Sequence, residues 1–221
     1  DIVEIGFRFL PQKKFLGKFA YCEDDLLNSL SLPSNISYAV MINASDLINY
    51  EDGIERAIKN LFSKKKDSPI DIVRIAAHSS DVKDCHTIAI ALKNLGYRVF
   101  LNLMQISSLN AKSIANIAKD LESWGCIDAF YFADSLGNME PELVSSVIST
   151  ISSKWSGEMG IHTHDNKNQA LGNSLKAIEH GINYVDATLL GMGRGAGNAK
   201  TEVLLVELVQ RGLGKYLPDA L

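Results

Sequence analysis

Short β-rich runs alternate with longer helical patterns along the whole chain, and this alternation constrains the fold more than any other feature. The runs predict strands over 1–7 (DIVEIGF), 37–43 (SYAVMIN), 70–77 (IDIVRIAA), 97–104 (YRVFLNLM), 127–134 (IDAFYFAD), 158–165 (EMGIHTHD) and 183–190 (NYVDATLL). A helix pattern follows each. The clearest are EDGIERAIKNLF, VKDCHTIAIALKNLG, AKSIANIAKDLESWG, PELVSSVISTISSKW and NQALGNSLKAIEHG. Gly96, Gly125 and Gly181 fall where helices are capped at their C-terminal ends, and Pro141 falls at a helix start. Seven such units at about 32 residues each match the spacing of a (β/α)₈ barrel. A doubly wound sheet would carry a glycine fingerprint after its first strand, and nothing like GxGxxG follows DIVEIGF. The predicted fold is therefore α/β, a TIM (β/α)₈ barrel with seven units present and the first unit missing. Residues 1–221 read as one barrel domain, truncated at the N-terminus, with room for a C-terminal domain after KYLPDAL. One long insertion, 8–36, carries a short helix pattern, EDDLLNSL.

With 46% hydrophobic residues among 221, the chain can bury one sizeable core. Its 22 basic and 26 acidic residues give a net charge of −4, which argues against nucleic acid or an anionic membrane as the main partner. No apolar run approaches the length of a bilayer span, and DIVEIGFRFL lacks the basic start of a signal peptide. Cys22, Cys85 and Cys126 are widely spaced and odd in number, so no disulfide framework or CxxC site is written here. They read as buried thiols in a reducing, cytoplasmic setting. Lys64–Lys66 reads as a solvated helix end, His86 and His180 as helix-surface or packing residues, and Trp124 and Trp155 as packing anchors.

In a barrel of this class the strands deliver chemistry at their C-terminal ends. The residues placed there are Glu4, His78, Asn102 with Gln105, Asp134 with Ser135, His162 to Asn166, and the stretch from Asp186 to Asn198. Any one of them could be a satisfied loop group, and Asp134-Ser135 could equally cap a helix. His162 and His164 stand two apart in a strand and so share a face, which makes them either a pair of neutral nitrogen ligands for a divalent metal or two core histidines. Asp165 beside them is the expected acceptor for a ligating ring. Gly191, Gly193, Gly195 and Gly197 alternate through LGMGRGAGN before a helix pattern, which suits an anion cradle with Arg194, a mobile lid, or a close-packing turn.

VEIGF, RIAAHSSD, FADSLGNMEP, GIHTHDN and VDATLLGMGRGAGNAKTE, in that order, resemble the DRE-TIM metallolyases (HMGL-like), which are metal-dependent barrel enzymes acting on pyruvate or acyl-CoA substrates. RIAAH, ADS and GMGRGAGNA look most like the 4-hydroxy-2-oxovalerate aldolase branch. The resemblance implies His162, His164 and Asn198 as metal ligands. It implies Glu4 as the family's glutamate; Asn102 and Ser135, by their strand-end positions, are expected to complete a catalytic set with it. From their places at strand ends and in the glycine loop, Asp134, Thr188, Gly193 and Arg194 are expected to bind substrate. The family's Arg-Asp pair and general base have no counterpart here and are expected upstream of Asp1, so this chain by itself is expected to be inactive. The implied activity is a carbon–carbon lyase that uses Mn²⁺, Mg²⁺ or Co²⁺ to cleave a 4-hydroxy-2-oxo acid to pyruvate and an aldehyde. A homodimer and an aldehyde dehydrogenase partner are implied as well. The alternatives are a Claisen-type acyl-CoA synthase or lyase and a non-catalytic barrel. The absence of a cysteine between Gly191 and Asn198 counts against the acyl-CoA lyase.

Overall fold

A computed structural model of the protein describes residues 1–214. The elements run β1 (Ile2–Phe7), α1 (Asp24–Asn28), β2 (Ser37–Asn43), α2 (Ala44–Ile48), α3 (Ile54–Leu61), β3 (Ile72–Ala77), α4 (Val82–Asn94), β4 (Arg98–Leu103) and α5 (Ala111–Trp124). They continue as β5 (Ala129–Asp134), α6 (Pro141–Ser152), β6 (Glu158–Thr163), α7 (Ala170–Glu179), β7 (Tyr184–Val185) and α8 (Thr201–Gln210). Strand order follows chain order, and each of the seven strands is followed by helix. The seven predicted β/α units are therefore present. Two compact units divide the chain: Asp1–Leu103 with Asp120–Phe130, and Met104–Lys119 with Tyr131–Leu221. The KYLPDAL tail lies outside the described residues.

In the first unit β1 through β4 pair in parallel. Every residue of β3 is buried, as a strand covered on both faces requires, and its Ile-Val-Ile content suits that position. Removing each such side chain from water stabilises the fold by about 2 kcal/mol. β1 differs: Val3 and Phe7 are exposed, and a bulge between Glu4 and Gly6 shifts its register on β2. A Cβ on Gly6 would run into the Phe19 carbonyl, so the bulge needs glycine. Arg8, just beyond β1, is buried with its guanidinium 2.6 Å from Asp24, bonded to the Cys22 carbonyl and stacked over Phe62. That cation is bearable in the core because it is paired.

In the second unit β6 and β7 pair in parallel, and Tyr131 of β5 stacks on Tyr184. A Cβ on Gly160 would enter the Tyr131 ring, which explains glycine in the middle of a buried strand. Pro141 opens α6, and Gly96, Gly125 and Gly181 take positive φ at the ends of α4, α5 and α7, as their cap positions predict. His86 stacks on Trp124 at 4.8 Å, and Trp155 is buried with its indole donating to the Glu158 carbonyl.

Three expectations need correction. The last predicted strand, 183–190, shrinks to Tyr184–Val185. Thr188 leaves the ladder to bond with Ala199 and Thr201, and Leu190 turns left-handed at φ 55°. β6 stops at Thr163 because Asp165 bonds to the Gly197 carbonyl and His164 bridges to Asn198. Lys64–Lys66 is not the end of a helix. α3 finishes at Leu61, the lysines enter a separate short turn, and Lys65 pairs with Asp71 at 2.9 Å.

The thiols follow burial. Burial, reinforced by Asp81 and Asp84, pushes Cys85 up to about 12, and burial pushes Cys22 up to about 11 despite Arg8 beside it. Cys126 is only partly covered, so it departs from the expectation of three buried thiols. The thiolate is the reactive species. Alkylation of the native protein at mild alkaline pH is therefore expected to label Cys126 first and to reach Cys22 and Cys85 only on unfolding. Equal labelling of all three by mass spectrometry would contradict this burial pattern.

Candidate metal centre

The second unit gathers the histidine pair. His162 lies at the end of β6 and His164 just past it, with ring centroids 5.0 Å apart and the rings nearly perpendicular. The two-residue spacing of an extended chain puts both rings on one side. His162 Nδ1 lies 2.8 Å from Asp186 Oδ2, so the carboxylate holds the proton on Nδ1 and leaves the Nε2 lone pair outward. Sequence reasoning expected Asp165 in this role. The Asp165 carboxylate instead accepts the Ala170 N–H at 2.8 Å, closing the turn into α7. Asp186, directly after β7, reaches the ring because β7 neighbours β6. The signal for it was the VDA segment at the seventh strand end.

Burial lowers the basicity of His164 most, and the positive charges of His162 and Arg194 lower it further, against a hydrogen bond to the Gly197 backbone. It is therefore neutral at pH 7, the form that ligates metal. Asn198 bridges to His164 in antiparallel fashion. Its Nδ2 donates to the Met192 carbonyl at 3.1 Å, whereas its Oδ1 is buried without a hydrogen-bond partner. An orphaned buried carbonyl oxygen is costly unless something outside the chain satisfies it. Gly193 packs against that amide, and a Cβ there would lie 2.7 Å from Nδ2. The loop is fastened by Asn198 N–H to Gly191 O and Gly197 N–H to Arg194 O, both 3.0 Å.

Two imidazoles and an amide oxygen fit a divalent cation of borderline hardness. Among the described residues no three His, Cys, Asp or Glu side chains cluster as a metal set. The residues here that could hold such a cation are His162, His164 and the Asn198 oxygen.

The other expected residues have definite places. In the second unit Asp134 is fully buried, and its carboxylate accepts the N–H groups of Asn138 and Met139. Burial raises its pKa against the pull of those amides. Ser135 Oγ accepts the Gln105 N–H at 2.9 Å and holds a residue at positive φ, 54°. Thr188 keeps a buried hydroxyl without a hydrogen-bond partner, and Arg194 is exposed. In the first unit Glu4 lies 3.4 Å from the buried Arg74 of β3, a partner that sequence reasoning missed because Arg74 stands mid-strand among apolar residues. Asn102, at the end of β4, is buried with an unpartnered Oδ1.

The family model described as HMGL-like matches residues 63–218. The chain belongs to the HMGL-like family. Among its relatives, the 4-hydroxy-2-oxovalerate aldolase of Carboxydothermus hydrogenoformans is 40% identical over 143 residues, 64% of this chain and 42% of that protein. The 4-hydroxy-2-oxovalerate aldolase of Geobacillus genomosp. 3 is 37% identical over 157 residues, 70% of this chain and 46% of that protein. The chain thus spans less than half the length of these relatives. The N-terminal domain of a presumed aldolase from Bacteroides vulgatus superimposes with a TM-score of 0.83 at 30% identity, over 99% of this chain and 71% of that one. The Bacillus subtilis HMG-CoA lyase superimposes at 0.71 with 16% identity, over 88% and 69% respectively, a likeness of fold alone. These neighbours bear out the α/β fold of TIM-barrel class with seven units. Among the described residues no helix is long and apolar enough to cross a membrane.

Proposed function

We propose that this HMGL-like chain belongs to a divalent-metal-dependent aldolase that cleaves a 4-hydroxy-2-oxo acid to pyruvate and an aldehyde. The observation that carries the reading is the paired His162 and His164 beside Asn198, which bridges to His164 through the backbone and whose side-chain oxygen is buried and unpartnered. The similarity to 4-hydroxy-2-oxovalerate aldolases supplies the reaction class.

In the forward direction the 4-hydroxyl gives up its proton and the C3–C4 bond breaks. Its electron pair passes into the pyruvate enolate, and C3 then takes up a proton. A bound Mn²⁺, or Mg²⁺ or Co²⁺ in its stead, would supply the Lewis acid that stabilises this enolate. The protein's own residues prepare the place. Asp186 fixes the tautomer and plane of His162, and burial keeps His164 unprotonated. Gly193 leaves room for the Asn198 amide while Met192 holds its nitrogen, so the oxygen is the end presented. Asp134, by gathering the amides of 138 and 139, fixes the loop after β5, and Ser135 fixes Gln105 after β4.

Both reaction directions pass through the pyruvate enolate, which gains a proton at C3 in cleavage and is formed by loss of a methyl proton in condensation. The full-length protein with Mn²⁺ is expected to exchange those protons for deuterium in D₂O, read as decay of the methyl resonance, and to stop when the metal is chelated. A metal-loaded protein that leaves pyruvate unexchanged would overturn the reading.

A further inference from the structure

Arg194 sits at the crown of the glycine loop, and the loop grades from exposed to buried along its length. Met192 to Ala196 are exposed, whereas Gly197, Asn198 and Ala199 are buried. The turn is closed by Gly197 N–H to Arg194 O at 3.0 Å and tied to the strand end by Asp165 N–H to Gly197 O at 2.9 Å. Arg194 is thus carried on a fastened turn next to the Asn198–His164 bridge.

The carboxylates around this loop are already engaged. Asp165 accepts the Ala170 amide, Asp186 holds His162, and Glu202 accepts the Leu190 amide. Among the described residues Arg194 has no ion-pair partner. Arginine is built for two-pronged recognition of carboxylate or phosphate, and here it stands exposed on the loop that carries Asn198.

We propose that Arg194 forms a subsite for an anionic group, carboxylate or phosphate, on the part of the substrate that leaves as the aldehyde. The inference rests on the aldolase reading and deepens it by naming the substrate class. The 2-oxo acid end meets the buried side of the loop, at His162, His164 and Asn198. The remainder of the substrate extends toward the exposed crown, where Arg194 stands. A 4-hydroxy-2-oxo acid with a second negative charge beyond C4 matches both ends.

The test uses the full-length, Mn²⁺-loaded protein with pyruvate and three acceptors: propanal, succinic semialdehyde and glycolaldehyde phosphate. One anionic aldehyde is expected to exceed propanal in kcat/KM by about tenfold or more, and that ratio should fall as ionic strength rises. Whichever anionic aldehyde prevails separates carboxylate from phosphate. Arg194→Met is expected to collapse the ratio to near unity. A turnover-independent arm measures binding of propionate and inorganic phosphate to the metal-free protein by calorimetry, with loss of about fivefold or more expected in Arg194→Met. Pyruvate exchange with no preference for an anionic aldehyde, or with a ratio unmoved by Arg194→Met, overturns the subsite and leaves the aldolase reading standing. Absence of exchange overturns the reading instead. The calorimetric arm then decides the subsite alone, and anion binding that is absent or unchanged in Arg194→Met overturns it.

Discussion

Replacing His164 by alanine is expected to weaken Mn²⁺ binding on the order of 100-fold or more, with little loss of stability. In the proposed centre the ring would supply one of two imidazole nitrogens, and burial already favours its neutral form, so its removal would delete a ready ligand. The backbone around it is held independently, by the bridge to Asn198 and by the bond from Asp165 N–H to Gly197 O. Asp186→Asn is expected to cost less, about tenfold, because the His162 ring survives and only its tautomer and orientation are loosened. Equilibrium titration of the full-length variants with Mn²⁺, followed by water-proton relaxation, orders the three proteins. Native-like affinity in His164→Ala would remove His164 from the centre.

The largest expected loss of stability follows from Gly137→Ala. Gly137 turns left-handed at φ +58°, and an added Cβ would lie 2.8 Å from both the backbone nitrogen and the Cβ of Asn166, and closer still to its side-chain oxygen. The turn cannot move away freely. Gly137 N–H bonds to the Asp134 carbonyl, and the two following amides bond to the buried Asp134 carboxylate. Backbone strain and overpacking together are expected to cost about 2–4 kcal/mol. For a domain of this size that corresponds to a fall in Tm of roughly 5–15 °C. Gly181→Ala is the matched control. Its φ of +76° carries the same backbone penalty, but nothing lies within 4 Å of the new methyl. Thermal melts of the two variants should separate clearly, and equal shifts would show that the Asn166 contact carries no weight.

Particular residues show what the sequence could and could not disclose. The β/α alternation, the capping glycines and Pro141 were legible because their causes are local: a helix ends where a residue must turn left-handed, whatever surrounds it. The shared face of His162 and His164 was legible for the same reason. Asp186 was not assigned as the ring's acceptor, because 24 residues separate it from His162 and only strand pairing brings them together. Asp165 was the nearer candidate in sequence, but local hydrogen bonding to Ala170 claims its carboxylate. Arg74 was hidden by its surroundings, since a run of buried aliphatics gives no sign that one charged member finds Glu4 across the strands. The early end of β7 was equally hidden. Thr188 had two possible partners, and the segment after the glycine loop proved the better one.

The centre itself is tested most directly by pulsed electron paramagnetic resonance of the Mn²⁺-loaded, full-length protein. Nitrogen couplings from two coordinated imidazoles are expected, falling to one in His162→Ala and likewise to one in His164→Ala. A manganese ion bound stoichiometrically with no imidazole coupling, or with couplings indifferent to both substitutions, would contradict the metal centre described here.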